Sequence, residues 1–533
     1  MLYPMPVLQS LALAPTLLLI LGSIWIAMIP TQDRIAWRRF NMLAGTAWLC
    51  ALVSCALQWT PQQATASATG LSDFLTITPL GAVMAVLVQT LGITIGAFSS
   101  RYLQGEAGQI RYIAALAGVL ASVHLLLLAN HWLVLIAAWA SIGLVLQRLL
   151  CFYPNRPFAR LAAHKKAMAD RTADVLLILA AALAWTDAGS GSFHALWEHL
   201  ASGQVSLSMQ ISAAFLVFAV LLRTGLMPAH GWLTQVMEAP TPVSALLHAG
   251  VINLGGFVLI RFAPLLEAAP LARWILITFG LGTAVLAGMV ILTRVSIKVR
   301  LAWSTVAQMG FMVLECGLGL YTLAALHLFG HSVYKAHAFL SASTVVLAMR
   351  HEKMGGLSGV SKLSLVSAPI ASLVIVVPLL QSTALNPGWP WWWSVVLALA
   401  WSPLLWLPTG SQSHMQGASL HSSLWSAMTS IGLVLLLTLL ALLAHKLPLG
   451  LLDRPDGIGG MVALIMLALM YLALVLVQWQ ARLLERFRRW SYAGFYVDEL
   501  YTRLALKVWP GQWALPSAQR SWTKDVRHVQ SIQ

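Results

Sequence analysis

Charged residues are scarce in this sequence. They make up 9% of its 533 residues, whereas apolar residues make up 59%. A soluble protein carries about 25% charged residues, so the chain lacks the material for an ordinary aqueous surface. Polar stretches long enough to build a separate soluble core are also lacking. Together these shortages exclude a soluble globular protein and predict an integral membrane protein.

Several chemistries lack their usual signatures. The four cysteines lie in apolar runs without metal-type spacing, which favours buried thiols over disulfides or zinc ligands. The net charge is +15, but the basic residues collect in short loops, and no basic stretch interleaved with aromatics predicts a nucleic-acid groove. Paired carboxylates and nucleophile motifs are missing too. We therefore expect a transporter subunit with no catalytic site, no cofactor and no metal of its own.

Apolar runs of membrane-spanning length dominate what is present. About 15 runs approach the 20 residues that a helix needs to cross a bilayer. They begin near Leu11, Met42, Pro79, Ile110, Trp132, Thr172, Ile211, Pro242, Trp274, Leu301, Thr322, Val366, Trp391, Ser423 and Met461. The first run has no basic flank and no small-residue cleavage site, so we interpret it as a retained span. The predicted fold class is an all-α polytopic membrane protein.

Lysine and arginine cluster in alternate loops. Basic groups occur at 34–39, 156–166, 294–300 and 486–489, whereas 59–76 and 187–208 carry almost none. Because cytoplasmic loops are enriched in lysine and arginine, this alternation predicts a multi-pass membrane protein with its N-terminus outside and its C-terminus in the cytoplasm. The loop at 446–454 departs mildly from the pattern.

An arginine and a broken helix follow the seventh apolar run. Arg223 lies near the end of that run, and Pro228 then interrupts it. A broken helix frees backbone carbonyls that can hold an ion or water. Thr241 is the predicted N-cap of the next helix, which places His248 roughly 10 Å inside it. A snorkelling Arg223 and a hydrogen-bonded packing His248 remain as alternatives.

Two histidines and a lysine share one face of a later helix. His327, His331 and Lys335 recur every four residues in an apolar run. Histidine titrates near neutrality, so the three side chains form a candidate proton relay. Zinc binding lacks Cys, Asp and Glu partners on that face, and a set of interhelical hydrogen bonds remains as an alternative.

Two acidic residues in apolar runs are harder to interpret. Asp174 stands three residues after Arg171 at the predicted start of the sixth span, and this spacing also fits a surface ion pair that contributes little. Glu315 is alone in the tenth run, and the sequence assigns it no function.

Several ordered motifs carry a family resemblance. They are EAPTPVSALLHA at 238–249, IKVRLAWSTVAQMGFM at 297–312 and KMGGL at 353–357, with SRYLQGE near Ser100 and FYVDELY at 495–501. In this order they resemble the proton-translocating antiporter-like subunits of respiratory complex I and of Mrp-type cation antiporters. The similarity covers residues 70–365 well and the ends more weakly.

The resemblance implies two inverted five-helix repeats, each with a broken helix, joined by a central polar axis that moves ions. The implied division is 1–100 for N-terminal spans, 101–265 and 266–410 for the two repeats, 411–481 for C-terminal spans and 482–533 for an amphipathic cytoplasmic tail. The implied ion-translocation residues are Asp174, Arg223, Glu238, His248, Lys298, His327, His331 and Lys335.

This sequence departs from the family pattern at several positions, and these departures limit which branch of the family it can resemble. Ala140 stands where the family usually has a glutamate, and Arg223 replaces a lysine, although arginine cannot release its proton in proteins. Pro378 is kept without the lysine that normally follows it, and no long lateral helix precedes the end at Gln533. These losses are difficult to reconcile with a standard complex I pump.

A shortened, altered subunit of this kind resembles the DabB-type branch of the family. Its members are membrane subunits of inorganic carbon accumulation complexes. The resemblance implies a cation channel of the bacterial inner membrane, conducting protons or sodium ions. Its ion flow is expected to energise a DabA-like, zinc-binding cytoplasmic subunit that converts carbon dioxide to bicarbonate. Zinc is then expected in the partner and not in this chain. The alternative is a proton-pumping subunit of a complex I-like or Mrp-type antiporter complex.

Overall fold

The computed structural model describes residues 3–29, 32–60, 62–63, 72–203, 205–342, 361–382, 388–406, 419–479 and 485–509. The helices of its first half are α1 (Met5–Met28), α2 (Asp33–Leu57), α3 (Pro79–Tyr102), α4 (Gln109–Leu128), α5 (Trp132–Leu150), α6 (Pro157–Ala188), α7 (Phe193–Ala201) and α8 (Leu207–Arg223). A two-residue parallel pairing joins Tyr3–Pro4 to Gln62–Gln63.

The second half begins with shorter helices and continues with long ones. They are α9 (Gly231–Gln235), α10 (Thr241–Ala249), α11 (Leu254–Arg261), α12 (Ala263–Ala268), α13 (Pro270–Ile291), α14 (Ile297–Gly317) and α15 (Tyr321–Leu340). The helices Lys362–Gln381, Trp391–Trp401, Ser419–His445, Gly457–Trp479, Glu485–Tyr492 and Val497–Val508 follow.

The predicted all-α polytopic fold is confirmed. In the described part of the chain, 10 helices are long and apolar enough to cross a membrane, with α10 and α11 counted together, and two shorter apolar helices accompany them. Helices α6, α14 and α15 have 32, 21 and 20 residues and carry most of the buried charged side chains, and α8 carries Arg223. Each predicted apolar run begins inside a described helix, and the run from Pro242 covers both α10 and α11.

Helix α6 begins earlier than predicted. The sequence placed the start of this span near Thr172, but the helix starts at Pro157, with the proline in its first turn. Lys165 and Lys166, which the sequence assigned to a loop, are buried inside it. Their charges are tolerated there because both ammonium groups have carboxylate partners. Asp174 therefore lies about 25 Å along the helix and not at its start.

The chain that follows α8 is not one continuous helix, and two of its breaks concern the predicted site. Residues 224–230 are not helical, and the 3-10 turn Val251–Asn253 separates α10 from α11. The first break was predicted, and the second was not. The predicted N-cap is wrong by one residue: Pro240, in an extended conformation, occupies the N-cap position, and Thr241 is the first helical residue.

The family resemblance implies a broken helix in the second repeat, but the helix that contains Pro378 is not broken there. Pro378 lies inside the continuous helix Lys362–Gln381, and the next described helix begins at Trp391. The KMGGL motif at 353–357, and Trp513 and Trp522 of the tail, lie outside the described residues.

Helices α13 and α14 approach each other closely through small residues. Gly280 lies against the backbone of α14, where an added Cβ would be 2.8 Å from the carbonyl oxygen of Gly310. Without a hydrophobic driving force between spans, such close backbone contact is a principal source of helix association in a bilayer. This packing holds α14 in place, and α14 in turn packs against α15.

A candidate ion-translocation pathway

The α15 stripe, defined as His327, His331 and Lys335, faces α14. Lys335 is buried, and its Nζ donates to the carbonyl oxygen of Leu301 at 3.0 Å and to the hydroxyl of Ser304. The imidazole rings of His327 and His331 are 6.1 Å apart between centroids. One water molecule between ionisable groups at such a spacing is enough to connect them by hydrogen bonds.

Glu315 supplies a carboxylate at one end of this stripe. Its Oε2 lies 2.9 Å from Nδ1 of His327, and its side chain is 4% exposed. The other ring nitrogen of His327, Nε2, is buried and has no hydrogen-bond partner among the described residues. The sequence assigned no role to Glu315, because its partner is on the next helix.

His248 meets the stripe from α10. It is fully buried, and its ring stacks on Phe339 of α15 with centroids 4.6 Å apart. Within the described chain neither of its ring nitrogens has a hydrogen-bond partner. Its backbone carbonyl, in the last turn before the second break, lies 3.3 Å from Nε2 of His331. Buried polar atoms are normally satisfied, so this imidazole is available to water or to a transferred proton.

Arg223 and Asp174 form a buried ion pair at the end of α8. The Arg223 guanidinium bonds to Asp174, donates to the carbonyl oxygen of Trp139 at 2.7 Å, and lies 4.9 Å from the Trp139 ring. A snorkelling arginine is therefore not what the structure shows. Asp174 also contacts the half-exposed Arg171 at 3.0 Å. Asp174 of α6 thus places a carboxylate close to Trp139, whose neighbour in this sequence is Ala140.

A ladder of charges continues along α6. Lys166, Asp170 and Asp174 are spaced four residues apart and share one face of the helix. Lys166 and Asp170 are both buried and bond to each other. Sequence reasoning missed them because they follow a basic cluster typical of a cytoplasmic loop. Their four-residue spacing was the signal that could have identified a buried face.

Lys165 connects α6 to the C-terminal helix Val497–Val508. Its Nζ is fully buried and donates to Oδ1 of Asp498 at 2.6 Å and to the hydroxyl of Thr502 at 2.8 Å. Gln235 of α9 donates to the other oxygen of Asp498 at 3.0 Å. The FYVDELY motif therefore covers the end of the bundle at which α6 begins.

Gly231 has no side chain, and this leaves space for the contact between Lys165 and Asp498. A Cβ at Gly231 would overlap the carboxylate of Asp498. We expect Gly231→Ala to destabilise the folded chain by roughly 1–3 kcal/mol through overpacking and to loosen the C-terminal helix. Trypsin cleavage after the exposed Arg503 and Lys507 should then be faster in the purified protein. Gly432→Ala, where no atom lies within 4 Å of the added Cβ, is the control, and equal cleavage of the two variants would contradict the prediction.

Glu238 and Lys298 lie apart from the buried groups. The Glu238 side chain is 43% exposed and 3.7 Å from the guanidinium of Arg156. Lys298 donates to the hydroxyl of Thr241 at 2.9 Å. Lys298 is one turn from Leu301, the acceptor of Lys335, but among the described residues no hydrogen bond or ion pair joins Glu238 or Lys298 to the α15 stripe.

The two groups of buried charges differ in chemistry. Histidine, lysine and glutamate side chains each bind and release a proton, whereas the Arg223 guanidinium stays charged. The α15 stripe with Glu315 and His248 therefore has the composition of a proton relay. The α6 ladder with Arg223 has the composition of a fixed charge cluster. Among the described residues no three His, Cys, Asp or Glu side chains are grouped as metal ligands.

Buried relay groups on broken and neighbouring spans define an ion-translocating membrane subunit of the antiporter class. The family described as "NADH:quinone oxidoreductase/Mrp antiporter, TM" matches residues 129–404, and the chain belongs to that family and, within it, to the DabB-type inorganic carbon transporter subunits. It is 38% identical to the probable inorganic carbon transporter subunit DabB of Hydrogenovibrio crunogenus, over 81% of this chain and 83% of the relative.

Two further comparisons agree with this assignment. The chain is 42% identical to the probable inorganic carbon transporter subunit DabB2 of Halothiobacillus neapolitanus, over 51% of this chain and 50% of the relative. Its fold is similar to a chain of the Mrp complex from Dietzia sp., with a TM-score of 0.57 and 20% identity over 98% of this chain and 60% of that one. At this identity the structural likeness concerns the fold alone.

Proposed function

We propose that cations, here protons, move down their gradient through this chain and energise inorganic carbon accumulation by a cytoplasmic partner. In this proposal the partner is a DabA-like subunit that binds zinc and converts carbon dioxide to bicarbonate. The chain spans the bacterial inner membrane with its N-terminus outside, the orientation that the distribution of lysine and arginine predicts. It conducts the ion and leaves the carbon chemistry to the partner.

The observation that carries the proposal is the environment of Lys335. Its ammonium group is buried between a carbonyl and a hydroxyl oxygen, and no carboxylate of the described chain lies within ion-pair distance of it. A buried lysine with neutral partners exists with or without its proton, which a buried arginine cannot do. His331, one turn away, is in position to exchange that proton through water. This environment supports proton conduction through α15.

The relatives support the link to inorganic carbon. The two similar curated proteins are both named as subunits of inorganic carbon transporters, and a subunit acts within a complex. The zinc-dependent partner rests on the family resemblance alone.

The alternative function is a pumping subunit of a complex I-like or Mrp-type complex. The matching family model, whose description names both NADH:quinone oxidoreductase and the Mrp antiporter, favours it. In that alternative, ions would be moved against their gradient by redox chemistry or by exchange with a second cation.

Affinity purification of the tagged chain from mild detergent separates the two functions. Copurification of a large soluble subunit that contains bound zinc is the result we expect. Copurification of quinone-reducing or Mrp-type subunits, without a zinc-binding partner, would contradict the proposal and favour the alternative. A Lys335→Ala chain purified in parallel serves as a control, because the relay residue is buried and should not affect assembly.

A further inference from the structure

The loop 446–456 docks on the turn that joins α14 to α15. The backbone N–H of Arg454 donates to the carbonyl oxygen of Gly319 at 2.9 Å, and that of Asp456 donates to Leu318 at 2.9 Å. Oδ1 of Asp453 accepts from the backbone N–H of Thr322 at 2.8 Å. The loop therefore covers the end of the bundle at which α15 begins.

A cavity of about 350 Å³ opens beside this loop, lined by Asp453, His445 and Thr322 among others. At about 30 Å³ per molecule it has room for roughly ten waters. Oδ2 of Asp453 and Nδ1 of His445 are buried and have no hydrogen-bond partner in the described part of the chain. A buried carboxylate oxygen without a donor is costly, and a proton on that oxygen removes the charge.

The cavity lies next to the outer members of the candidate relay. Thr322 precedes His327 on α15 by about 7.5 Å at 1.5 Å per residue. The backbone carbonyl of Glu315, the partner of His327, accepts from the N–H of Leu320 at 2.9 Å, two residues before the Thr322 N–H that Asp453 accepts. Both acidic residues are therefore attached to the turn that joins α14 to α15, although they belong to segments that are more than 100 residues apart in the sequence.

We infer that Asp453, with His445 beside it, is the site at which protons enter the α15 relay from the cavity. Oδ2 of Asp453 takes a proton from a hydronium ion in the cavity, which becomes water. The carboxyl group then passes the proton through water to the Glu315–His327 pair and returns to the carboxylate. This inference rests on the proposed proton conduction.

The charges around Asp453 leave it free for this exchange. Arg454 is paired with Glu267 at 3.1 Å, and Arg273 donates to two backbone carbonyl oxygens. Among the described residues that line the cavity, His445 is the other titratable group, and the buried Tyr321 next to Thr322 also interacts electrostatically with Asp453. Burial raises the pKa of Asp453, and the hydrogen bond from the N–H of Thr322 opposes that rise. A raised pKa brings the carboxyl group closer to the pH at which it both binds and releases protons.

Asp453 could instead serve only as a cap for the first turn of α15, and one substitution separates the two roles. Asparagine caps a helix about as well as aspartate, so Asp453→Asn keeps the acceptor for Thr322 and removes the proton-binding oxygen. In proteoliposomes containing the purified complex, we expect relaxation of an imposed pH gradient to slow by about tenfold or more. Transport at the wild-type rate by a stable Asp453→Asn complex would overturn the inference.

A chemical rescue tests the same point independently of capping. In an Asp453→Cys complex, iodoacetate restores a carboxyl group, whereas iodoacetamide adds a neutral amide of similar size. Recovery of transport with iodoacetate alone is expected. Equal recovery with both reagents, or with neither in a folded complex, would contradict proton entry at this site. The exposed Leu452→Cys and the wild-type complex control for modification elsewhere.

The Lys335→Ala complex in the same assay separates this inference from the proposed function. If Lys335→Ala is inactive while Asp453→Asn transports normally, proton conduction stands and entry at Asp453 is wrong. If both transport normally, the proposed function itself fails. Slow transport by both supports the two proposals together.

Discussion

Replacing Lys335 by alanine abolishes transport and leaves the chain assembled with its partners. The substitution removes the only ammonium group of the α15 stripe, and its neighbours Leu301 and Ser304 contribute neutral oxygens that cannot replace it. A positioned proton-transfer group contributes about 100-fold or more to a rate, so we expect at least that loss. The measurement is the relaxation of a pH gradient in proteoliposomes, with assembly checked by copurification.

Two further variants show that the loss concerns the proton and not the cavity left by the side chain. His331→Ala should be equally inactive, because it breaks the stripe one turn away. Lys335→Arg keeps a positive charge that cannot be released and should also be inactive. Lys507→Ala, on the exposed face of the C-terminal helix, is the matched control. Wild-type transport by a stably assembled Lys335→Ala protein would refute the relay.

The second large effect is expected at the buried pair of Asp174 and Arg223. Asp174→Asn removes the charge of the carboxylate that bonds to the buried Arg223 guanidinium, and removal of one partner of a buried pair costs about 3–5 kcal/mol. We expect a lower melting temperature in detergent and a strong loss of folded protein. Thermal unfolding of the purified chain measures this effect.

A double substitution distinguishes stability from function at this pair. Asp174→Leu combined with Arg223→Met replaces both charges by apolar groups, which is often neutral for stability. The double variant should therefore recover much of the melting temperature lost in Asp174→Asn, but not transport, because the fixed charge is gone. Arg171→Gln removes only the exposed partner of Asp174 and should change stability by about 1 kcal/mol or less. Equal losses of melting temperature in Arg171→Gln and Asp174→Asn would show that the buried pair contributes no more to stability than the exposed pair.

The fold was predictable because each membrane span appears in the sequence as a long apolar run. Every run found in this way corresponds to a helix, including the short ones near Thr172 and Val366. Helix boundaries were less predictable. The start of α6 was missed because Lys165 and Lys166 resemble a basic loop, and only tertiary partners make them acceptable inside a helix.

The candidate site was predictable where its residues share one helix. The stripe of His327, His331 and Lys335 follows from a four-residue repeat. Its partners were not predictable, since Glu315 reaches His327 across a helix–helix contact and Asp498 reaches Lys165 across 333 residues. Asp453 was concealed in the same way, in a loop noted only as a mild exception to the charge distribution.

The fixed charge of Arg223 has a consequence for the energetics of coupling. If α6 and α8 hold charges that do not exchange protons, the proposed function leaves a single conducting route per chain, through α15. One elementary charge crossing the membrane delivers about 2.3 kcal/mol per 100 mV. At one proton per turnover, that energy sustains a concentration ratio on the order of 50-fold for each 100 mV of membrane potential. The number of protons that pass this route per turnover, and not a second route past Arg223, would then set the carbon gradient.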